Sequence, residues 1–370
     1  MKIIADDKIP FLRGVLESCA DVVYLPGAKI TQADAKNADA IITRTRTKCD
    51  KKLLNGSTVR FIATATIGFD HIDTDWVEAN GIKWTNAPGC NSSSVAQYIS
   101  SALLNIACEH KISLHGKTLG IVGVGNVGSK VAKAGEALGM RVLLNDPPRA
   151  EKEGQGAFVD LAQIITESDF ITMHVPLDKD GKYPTYHLGN KELFSLMKDS
   201  AFYINSSRGA VCDNAALKEA LRTGSIAGAV LDVWENEPSL DLELLDLVDF
   251  GTPHIAGYSA DGKANGTAMS VNALAEFFDL EFKNWYPSDV PVPENNSLKI
   301  SSNGSFEEKM LAAVSLSYNI KDDSDRLRNA PATFEKQRGD YPLRREFPVF
   351  TVKSFDKEVS RALTKLGFKH

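Results

Sequence analysis

The stretch "KTLGIVGVGNVGSKVAKAGEALGMRVLLND" constrains the fold of this chain more than any other feature. Gly123, Gly125 and Gly128 form a G-x-G-x-x-G turn between a strand pattern and an amphipathic helix pattern, and Asp146 ends the next strand pattern. A strand, glycine turn, helix and second strand in this order are typical of dinucleotide-binding sheets. The glycines allow a tight turn, a close approach of the backbone to a pyrophosphate and close packing of the helix.

The same stretch predicts NAD as the cofactor. Asn126 and Val127 begin a helix whose free N–H groups and positive dipole end suit a pyrophosphate. Asp146 can accept hydrogen bonds from the ribose hydroxyls and repel a 2′-phosphate, which favours NAD over NADP, while Arg149 weakens that preference. An ordinary βα turn and an S-adenosylmethionine site are the alternatives that this stretch leaves open.

Strand and helix patterns alternate along most of the chain, at the spacing of βαβ units. The first series of strand patterns is "KIIAD", "DVVYL", "DAIITR", "VRFIATAT" and "IKWTNAP", and the second is "KTLGIVGVG", "MRVLLND", "DFITMHVP", "AFYINSS", "AGAVLDVW" and "VDFGTPHIAG". Long helices are expected over "SSSVAQYISSALLNIACEH" and "NGTAMSVNALAEFFDLEFKNW". We therefore predict an α/β protein with two Rossmann-like, doubly wound parallel-sheet domains.

The pattern changes beyond Trp285. The stretch "YPSDVPVPENNS" reads as a connector, and the following residues carry helix patterns, charge runs and a last strand pattern, "FPVFTVK". A small α+β domain is therefore expected at the C-terminal end.

Composition excludes several classes of function. A net charge of -6 gives nucleic acid no general reason to bind. No apolar run is long enough for a membrane span and no signal peptide is evident, so we expect a cytoplasmic protein. Five scattered cysteines argue against a disulfide framework, and no histidines stand at metal-ligand spacing, so no metal site is predicted.

Three charged or titratable residues follow successive strands of the second series. Arg208 comes after "FYIN", Glu237 after "AVLDVW", and His254 ends "DFGTPH". Ligands of open α/β sheets bind outside the carboxyl ends of the strands. A guanidinium can grip a carboxylate and polarise a neighbouring oxygen, and a histidine oriented by a carboxylate can accept a hydroxyl proton. These residues fit hydride transfer between a nicotinamide and a 2-hydroxy acid.

A family resemblance is carried by the ordered runs "GVGNVG…ND", "MHVPLD", "INSSRGAVCDNAAL", "AVLDVWENEP" and "TPHIAGYS". With these runs, the chain resembles the D-isomer-specific 2-hydroxyacid dehydrogenases over about residues 1 to 285. The resemblance implies an outer substrate-binding domain of residues 1–95 and 258–285, an NAD-binding domain of residues 96–257, and an active site in the cleft between them. It makes Arg208, Glu237 and His254 the catalytic residues. Residues 286–370 would then form a C-terminal domain.

The resemblance also assigns binding residues. Its cofactor contacts fall on the glycine turn and on Asn126, Val127, Asp146, Val175, Ser207, Asp232 and Gly257, with Asp232 holding the nicotinamide carboxamide. The substrate-carboxylate loop falls on Thr66, Ile67 and Gly68, within "ATATIGFDHID", although this loop departs from the commonest family pattern near Ile67. Thr45 and Tyr258 are carried over as substrate contacts.

The chain also resembles one branch of this family. The resemblance lies in the opening "MKIIADD", in the run "TATIGFDHID…NAPGCNSSSVAQY" and in the C-terminal "RGDYPLRREF". In that branch the substrate is a four-carbon 2-hydroxy acid with a phosphate, the pathway leads to vitamin B6, and the C-terminal domain makes a homodimer. Arg44 and Arg46, in "TRTRTK", are candidate phosphate ligands. Another D-2-hydroxyacid dehydrogenase, such as a phosphoglycerate enzyme, and a non-catalytic, NAD-sensing corepressor-like protein are the alternatives.

Overall fold

The computed structural model describes residues 1–370, which form two compact units. Unit 1 is Met1–Asn91 with Ser259–Pro291, and unit 2 is Ser92–Tyr258 with Val292–His370. The strands are β1 (Lys2–Asp6), β2 (Asp21–Leu25), β3 (Ala40–Thr43), β4 (Phe61–Thr64), β5 (Lys83–Thr85), β6 (Thr118–Val122), β7 (Arg141–Asn145), β8 (Phe170–Met173), β9 (Phe202–Asn205), β10 (Gly228–Leu231), β11 (Phe250–Gly251), β12 (Ser297–Lys299) and β13 (Thr351–Lys353). The helices are α1 (Gln32–Ala35), α2 (Lys51–Leu54), α3 (Thr74–Ala79), α4 (Ser92–His110), α5 (Asn126–Ala137), α6 (Pro147–Glu153), α7 (Leu161–Glu167), α8 (Lys191–Leu196), α9 (Asn214–Thr223), α10 (Leu242–Leu247), α11 (Ala260–Phe278), α12 (Phe306–Ser317), α13 (Ile320–Asn329), α14 (Phe334–Gly339) and α15 (Lys357–Leu366). None of these helices combines the length and the apolar character needed to cross a membrane.

Unit 1 is built on a five-stranded parallel sheet with the order β2-β1-β3-β4-β5. Strands β3 and β4 are fully buried, and separate apolar clusters cover the sheet, as expected for a parallel sheet with both faces packed. Helix α11 begins five residues before the predicted start. The Ser259 hydroxyl, which accepts a hydrogen bond from Gly262 N–H, caps it there, and Asp279 ends it in the left-handed region.

Unit 2 contains a six-stranded parallel sheet with the order β11-β10-β9-β8-β6-β7. The chain starts at β6, goes to β7 on one side, and then crosses to β8 on the other. The strand order therefore reverses between β6 and β8, and such a switch point opens a crevice for ligands at the carboxyl ends of the strands. The predicted fold class, with two doubly wound parallel sheets, is confirmed.

The C-terminal segment, residues 292–370, adds α12 to α15 and a two-stranded parallel sheet of β12 and β13. Most of its buried apolar side chains belong to the same cluster as those of α4, β6 and β8, whereas Leu327 and Phe334 pack in the second apolar cluster of unit 2. The guanidinium of Arg344, which is 4% exposed, donates to Gln97 Oε1 at 2.7 Å, to the Ser94 carbonyl at 2.6 Å and to the Ile255 carbonyl at 3.3 Å. The segment is thereby tied to the backbone beside His254.

Candidate active site

The glycine turn has the geometry that a dinucleotide requires. Gly123 has φ +88°, and a Cβ there would lie 2.5 Å from the His174 carbonyl oxygen. A Cβ on Gly128 would lie 2.0 Å from the carbonyl oxygen of Gly123, so helix α5 packs directly on the turn. A Cβ on Gly125 would meet no atom within 4 Å. Two of the glycines are thus needed by the fold, whereas Gly125 faces open space that a pyrophosphate can occupy.

Asp146 lies at the end of β7, and the protein fixes its carboxylate. One oxygen accepts from Val124 N–H at 2.8 Å, and the other accepts from Arg149 N–H at 3.1 Å as the N-cap of α6. Arg149 in turn donates to the Val124 carbonyl and pairs with Glu153. Each carboxylate oxygen can accept more than one hydrogen bond, so the oriented group can still receive ribose hydroxyls.

A cavity of about 210 Å³ lies beyond β7. Its lining residues come from the glycine turn, β7, α6 and the loop after α6: Val124, Leu144, Arg149, Glu153, Gly154, Gly156, Ala157 and Phe158. The cavity adjoins Asp146 through Val124 and Arg149, which makes it suitable for the adenosine part of a dinucleotide. Asn126 and Val127 lie at the first turn of α5, beside Gly125.

Glu237 and His254 form a hydrogen-bonded pair after β10 and β11. Nδ1 of His254 lies 2.8 Å from Oε2 of Glu237, and the other carboxylate oxygen accepts from Trp234 N–H at 2.8 Å. Burial raises the pKa of Glu237, but the hydrogen bond and charge of His254 outweigh it and hold this pKa below its ordinary value. Glu237 is therefore an ionised group that orients the imidazole.

The backbone of His254 adopts φ +56°, in the left-handed region that a branched or bulky side chain seldom occupies. Its N–H donates to the Asp232 carbonyl at 2.7 Å, which holds the residue in this conformation. Backbone strain of this kind is concentrated at functional sites.

Arg208 follows β9, next to β10 in the sheet. Its side chain is exposed, and Nη1 donates to the Ser207 carbonyl at 2.8 Å. A Cβ on Gly209 would lie 2.0 Å from the Trp234 carbonyl oxygen. Only glycine therefore lets the Arg208 loop pack against the backbone of the loop that carries Glu237. The carboxyl ends of β9, β10 and β11 bring all three predicted catalytic residues to one edge of this sheet.

Asp232 is 1% exposed, and its carboxylate accepts three hydrogen bonds from the protein. Oδ1 accepts from Thr252 Oγ1 and Ile255 N–H at 2.7 Å each, and Oδ2 accepts from Ala256 N–H at 2.9 Å. Burial raises the pKa of Asp232, although the charge of His254 and these hydrogen bonds oppose that effect. Oδ2 keeps room for one more donor, such as a carboxamide.

The remaining predicted cofactor contacts of unit 2 also follow strands of its sheet. Val175 comes just after β8, and its Cγ1 would lie 2.8 Å from a Cβ on Gly123. Ser207 is buried, and both its N–H and its hydroxyl donate to Asn205 Oδ1. Gly257 lies three residues after His254.

The predicted carboxylate loop of unit 1 follows β4. The carbonyls of all three residues accept hydrogen bonds: Thr66 from Ala87 N–H at 3.0 Å, Ile67 from Asn86 Nδ2 at 2.7 Å, and Gly68 from Thr66 Oγ1 at 3.0 Å. The N–H groups of Ile67 and Gly68 donate to no acceptor of the chain. A loop with occupied carbonyls and free N–H groups is suited to an anion.

Arg44, Thr45 and Arg46 follow β3 in unit 1, and the last two are exposed. Arg44 donates to the Lys8 carbonyl at 2.9 Å. Lys263, on α11, lies close enough to Arg44 for that charge, together with the larger effect of partial burial, to lower the pKa of the lysine. Sequence reasoning missed Lys263 because it lies more than 200 residues from Arg44. Two neighbouring cations on one unit attract an anion.

Sequence reasoning also missed Arg338, on α14. Its Nη2 lies 3.3 Å from the hydroxyl of Tyr258, and its charge contributes to lowering the pKa of Glu237. No sequence pattern around Arg338 marks it as part of the site, because it lies in the C-terminal segment, beyond the strands after which the catalytic residues were predicted. No group of three or more His, Cys, Asp or Glu side chains is arranged to hold a metal ion.

The structure therefore brings the predicted catalytic and cofactor residues, with Tyr258, into unit 2, and the other predicted substrate residues into unit 1. The individual roles assigned to these residues stay predictions.

Two family models match the chain. Residues 102–256 match the NAD binding domain of the D-isomer specific 2-hydroxyacid dehydrogenases, and residues 290–367 match a domain of unknown function, DUF3410. The first match covers the glycine turn, Asp146 and the catalytic candidates, and it confirms NAD as the cofactor.

Relatives match over nearly the whole chain. An erythronate-4-phosphate dehydrogenase of Bacteroides fragilis is 54% identical over 95% of this chain and 99% of the relative. One of Porphyromonas gingivalis is 42% identical over all of both chains. The structure is also similar to that of a D-lactate dehydrogenase from Aquifex aeolicus complexed with NAD and lactic acid, with a TM-score of 0.60 and 29% identity over 75% of this chain and 96% of the other. The chain therefore belongs to the erythronate-4-phosphate dehydrogenase family of D-isomer specific 2-hydroxyacid dehydrogenases.

Proposed function

We propose that this protein oxidises 4-phospho-D-erythronate at C2 to (R)-3-hydroxy-2-oxo-4-phosphooxybutanoate, in the biosynthesis of pyridoxal 5′-phosphate. The full-length similarity to erythronate-4-phosphate dehydrogenases supports the substrate. The observation that carries the chemistry is the 2.8 Å hydrogen bond between Glu237 and His254 at the carboxyl end of the NAD-binding sheet. That pair is a general base with a fixed orientation.

In the proposed reaction, His254 takes the proton of the C2 hydroxyl on Nε2 while a C2–O double bond forms. Bound NAD supplies the acceptor for the hydride that leaves C2. Glu237 holds the Nδ1 proton of His254, so that Nε2 is the basic nitrogen, and stabilises the imidazolium that results. Arg208 binds the C1 carboxylate and polarises the C2 oxygen through its planar fork.

The free N–H groups of Ile67 and Gly68 are proposed to bind the C1 carboxylate of the substrate as well, and Thr66 fixes their loop. The phosphate is assigned to the cationic region of Arg44, Arg46 and Lys263, whose charges would offset the doubly charged group. Thr45 and Tyr258 are proposed to contact the substrate hydroxyls.

A substrate panel tests this function. The purified protein is mixed with NAD and 4-phospho-D-erythronate, D-erythronate, 3-phospho-D-glycerate or D-lactate, and reduction is followed by nicotinamide absorbance. We expect the highest kcat/KM with 4-phospho-D-erythronate and a large loss with D-erythronate, which lacks the phosphate. A preference for 3-phospho-D-glycerate would assign the phosphoglycerate alternative instead, and NAD binding without turnover of any acid would favour the corepressor-like alternative.

We also propose that the protein is a cytoplasmic homodimer that associates through the C-terminal segment. Val292, Leu343 and Phe355 are exposed on this segment by 61%, 49% and 83%, and association with a second chain would bury such apolar side chains. Light scattering after gel filtration should give the mass of two chains, and Phe355→Asp should shift the population towards one chain. A monomeric wild-type protein would rule this assembly out.

A further inference from the structure

Arg338 is a partly buried cation that the proposed chemistry does not use. It lies on α14 in the C-terminal segment, its side chain is 24% exposed, and its Nη1 pairs with Glu335 Oε1 at 3.1 Å. The guanidinium carbon lies 5.8 Å from the Phe334 ring centroid. These contacts hold the side chain in one orientation.

The other end of the guanidinium reaches the catalytic region of unit 2. Nη2 donates to the Tyr258 hydroxyl at 3.3 Å, and the Tyr258 ring packs edge-on against Tyr341, also from the C-terminal segment, with 5.7 Å between centroids. The charge of Arg338 contributes to lowering the pKa of Glu237, and the charge of Glu237 contributes to raising the pKa of Arg338. The arginine is therefore a neighbour both of the predicted substrate contact and of the catalytic pair.

The Nε–H of Arg338 is buried and has no hydrogen-bond partner. Burying a guanidinium donor without an acceptor is unfavourable, so stability alone does not explain this position. A phenol oxygen that accepts from a guanidinium directs its own proton away from it. Arg338 therefore sets the direction in which Tyr258 can donate.

We propose that Arg338 is a positioning residue, which fixes the Tyr258 hydroxyl as a hydrogen-bond donor to an oxygen of the 2-hydroxy acid, so that the C-terminal segment completes the active site of unit 2. This inference rests on the proposed dehydrogenase function and adds to it a residue of the C-terminal segment.

A double-mutant cycle tests it, with Arg338→Met, Tyr258→Phe and the double variant assayed for kcat and KM on the best acid of the panel. Arg338→Met should lower kcat/KM about tenfold to a hundredfold, since misdirected contacts near the reacting carbon cost about that much. In the Tyr258→Phe background the same substitution should cost only a few-fold, which reports its remaining effect on Glu237. Arg338→Lys should recover part of the loss.

Lys336→Met is the matched control. Lys336 lies on the same helix and pairs with Asp340, and it makes no hydrogen bond to Tyr258, so kcat/KM should stay within twofold of the wild type. NAD affinity and melting temperature are measured for every variant. Should Arg338→Met fail to fold, Arg338→Lys, which keeps the side-chain stem, takes its place in the cycle.

An equal loss in both backgrounds, or a loss of less than twofold in Arg338→Met, would overturn the inference and leave the proposed function intact. If the wild type instead turns over a different 2-hydroxy acid, the substrate proposal fails and the cycle on that acid still decides the role of Arg338. Absence of any dehydrogenase activity would overturn both.

Discussion

Oε2 of Glu237 lies 2.8 Å from Nδ1 of His254, and its Oε1 accepts from Trp234 N–H at 2.8 Å. The carboxylate is held at both oxygens, so the imidazole it contacts has one orientation and one tautomer. A second carboxylate–histidine pair lies two residues away, where Glu235 Oε1 contacts His187 Nε2 at 2.7 Å. The two pairs are alike in chemistry, and only the first includes a predicted catalytic residue.

Glu237→Gln should lower kcat about 10²-fold or more, because the neutral amide cannot stabilise an imidazolium and can present its N–H₂ group to Nδ1. NAD affinity should stay close to the wild-type value. Steady-state kinetics and NAD titration check both statements. Glu235→Gln serves as the control and should retain nearly full kcat; equal losses in the two variants would remove Glu237 from the mechanism.

Arg208→Lys should lower kcat/KM by about 10²-fold, because an ammonium group cannot replace a bidentate fork on a carboxylate and a developing negative charge. Folding should be unaffected, since Arg208 is exposed and its side chain donates to the carbonyl of the neighbouring Ser207. Arg222→Lys, at an exposed pair with Glu243, is the matched control. Turnover of Arg208→Lys at the wild-type rate would contradict the assignment.

Substitution by alanine should affect NAD binding at Gly125 and stability at Gly128. Gly125→Ala adds a methyl group where no protein atom lies within 4 Å, so the melting temperature should hold while NAD affinity falls at least about tenfold. Gly128→Ala adds a methyl group 2.0 Å from a backbone oxygen and should destabilise the fold by about 1–3 kcal/mol. Thermal melts without NAD and NAD titrations separate the two effects. Unchanged NAD affinity in Gly125→Ala would mean that the pyrophosphate binds elsewhere.

The burial of His174, just after β8, should make the folded protein less stable in acid. Burial lowers its pKa from 6.5 to about 3, and its Nε2 lies 3.0 Å from Thr172 Oγ1. Below pH 6.5 the unfolded chain binds a proton that the folded chain does not, so stability falls as pH drops towards 3 and is unaffected above pH 7. Between pH 6.5 and 5 this costs about 1–2 kcal/mol, allowing for solvent screening of the partly buried ring.

His174→Asn should therefore show a shallower loss of urea stability over that pH range, measured without NAD. His370→Asn, at an exposed C-terminal residue, should keep the wild-type slope. Parallel pH curves for wild type and His174→Asn would show that the ring is protonated in the folded protein.

Local patterns were sufficient for much of the fold. The glycine spacing from Gly123 to Gly128 and the two series of strand patterns predicted both parallel sheets, because each βαβ unit is specified by contiguous residues. The start of α11 was misjudged because its capping residue, Ser259, lies before the apolar pattern begins. Strand order depends on contacts distant in sequence, so the reversal between β6 and β8 was predicted from the usual strand order of doubly wound sheets and not from any local pattern.

Part of the candidate site could likewise be predicted from local sequence patterns, and part could not. Arg208, Glu237 and His254 were found because each follows a strand, a position that the sequence reveals. The spacing of residues in the sequence does not indicate the left-handed backbone of His254 or the close approach of Gly209 to Trp234. Arg338 and Lys263 were missed because their neighbours Tyr258 and Arg44 lie far away along the chain, and only tertiary packing brings them together.

The hydrogen bond from Arg344 to the Ile255 carbonyl has a consequence for biosynthesis. On a ribosome, the loop with His254 emerges well before the arginine that supports it. A nascent or prematurely terminated chain that stops before residue 344 carries every predicted catalytic side chain, yet lacks the clamp beside His254. The contact that supports the backbone beside His254 therefore forms only after residue 344 has been added.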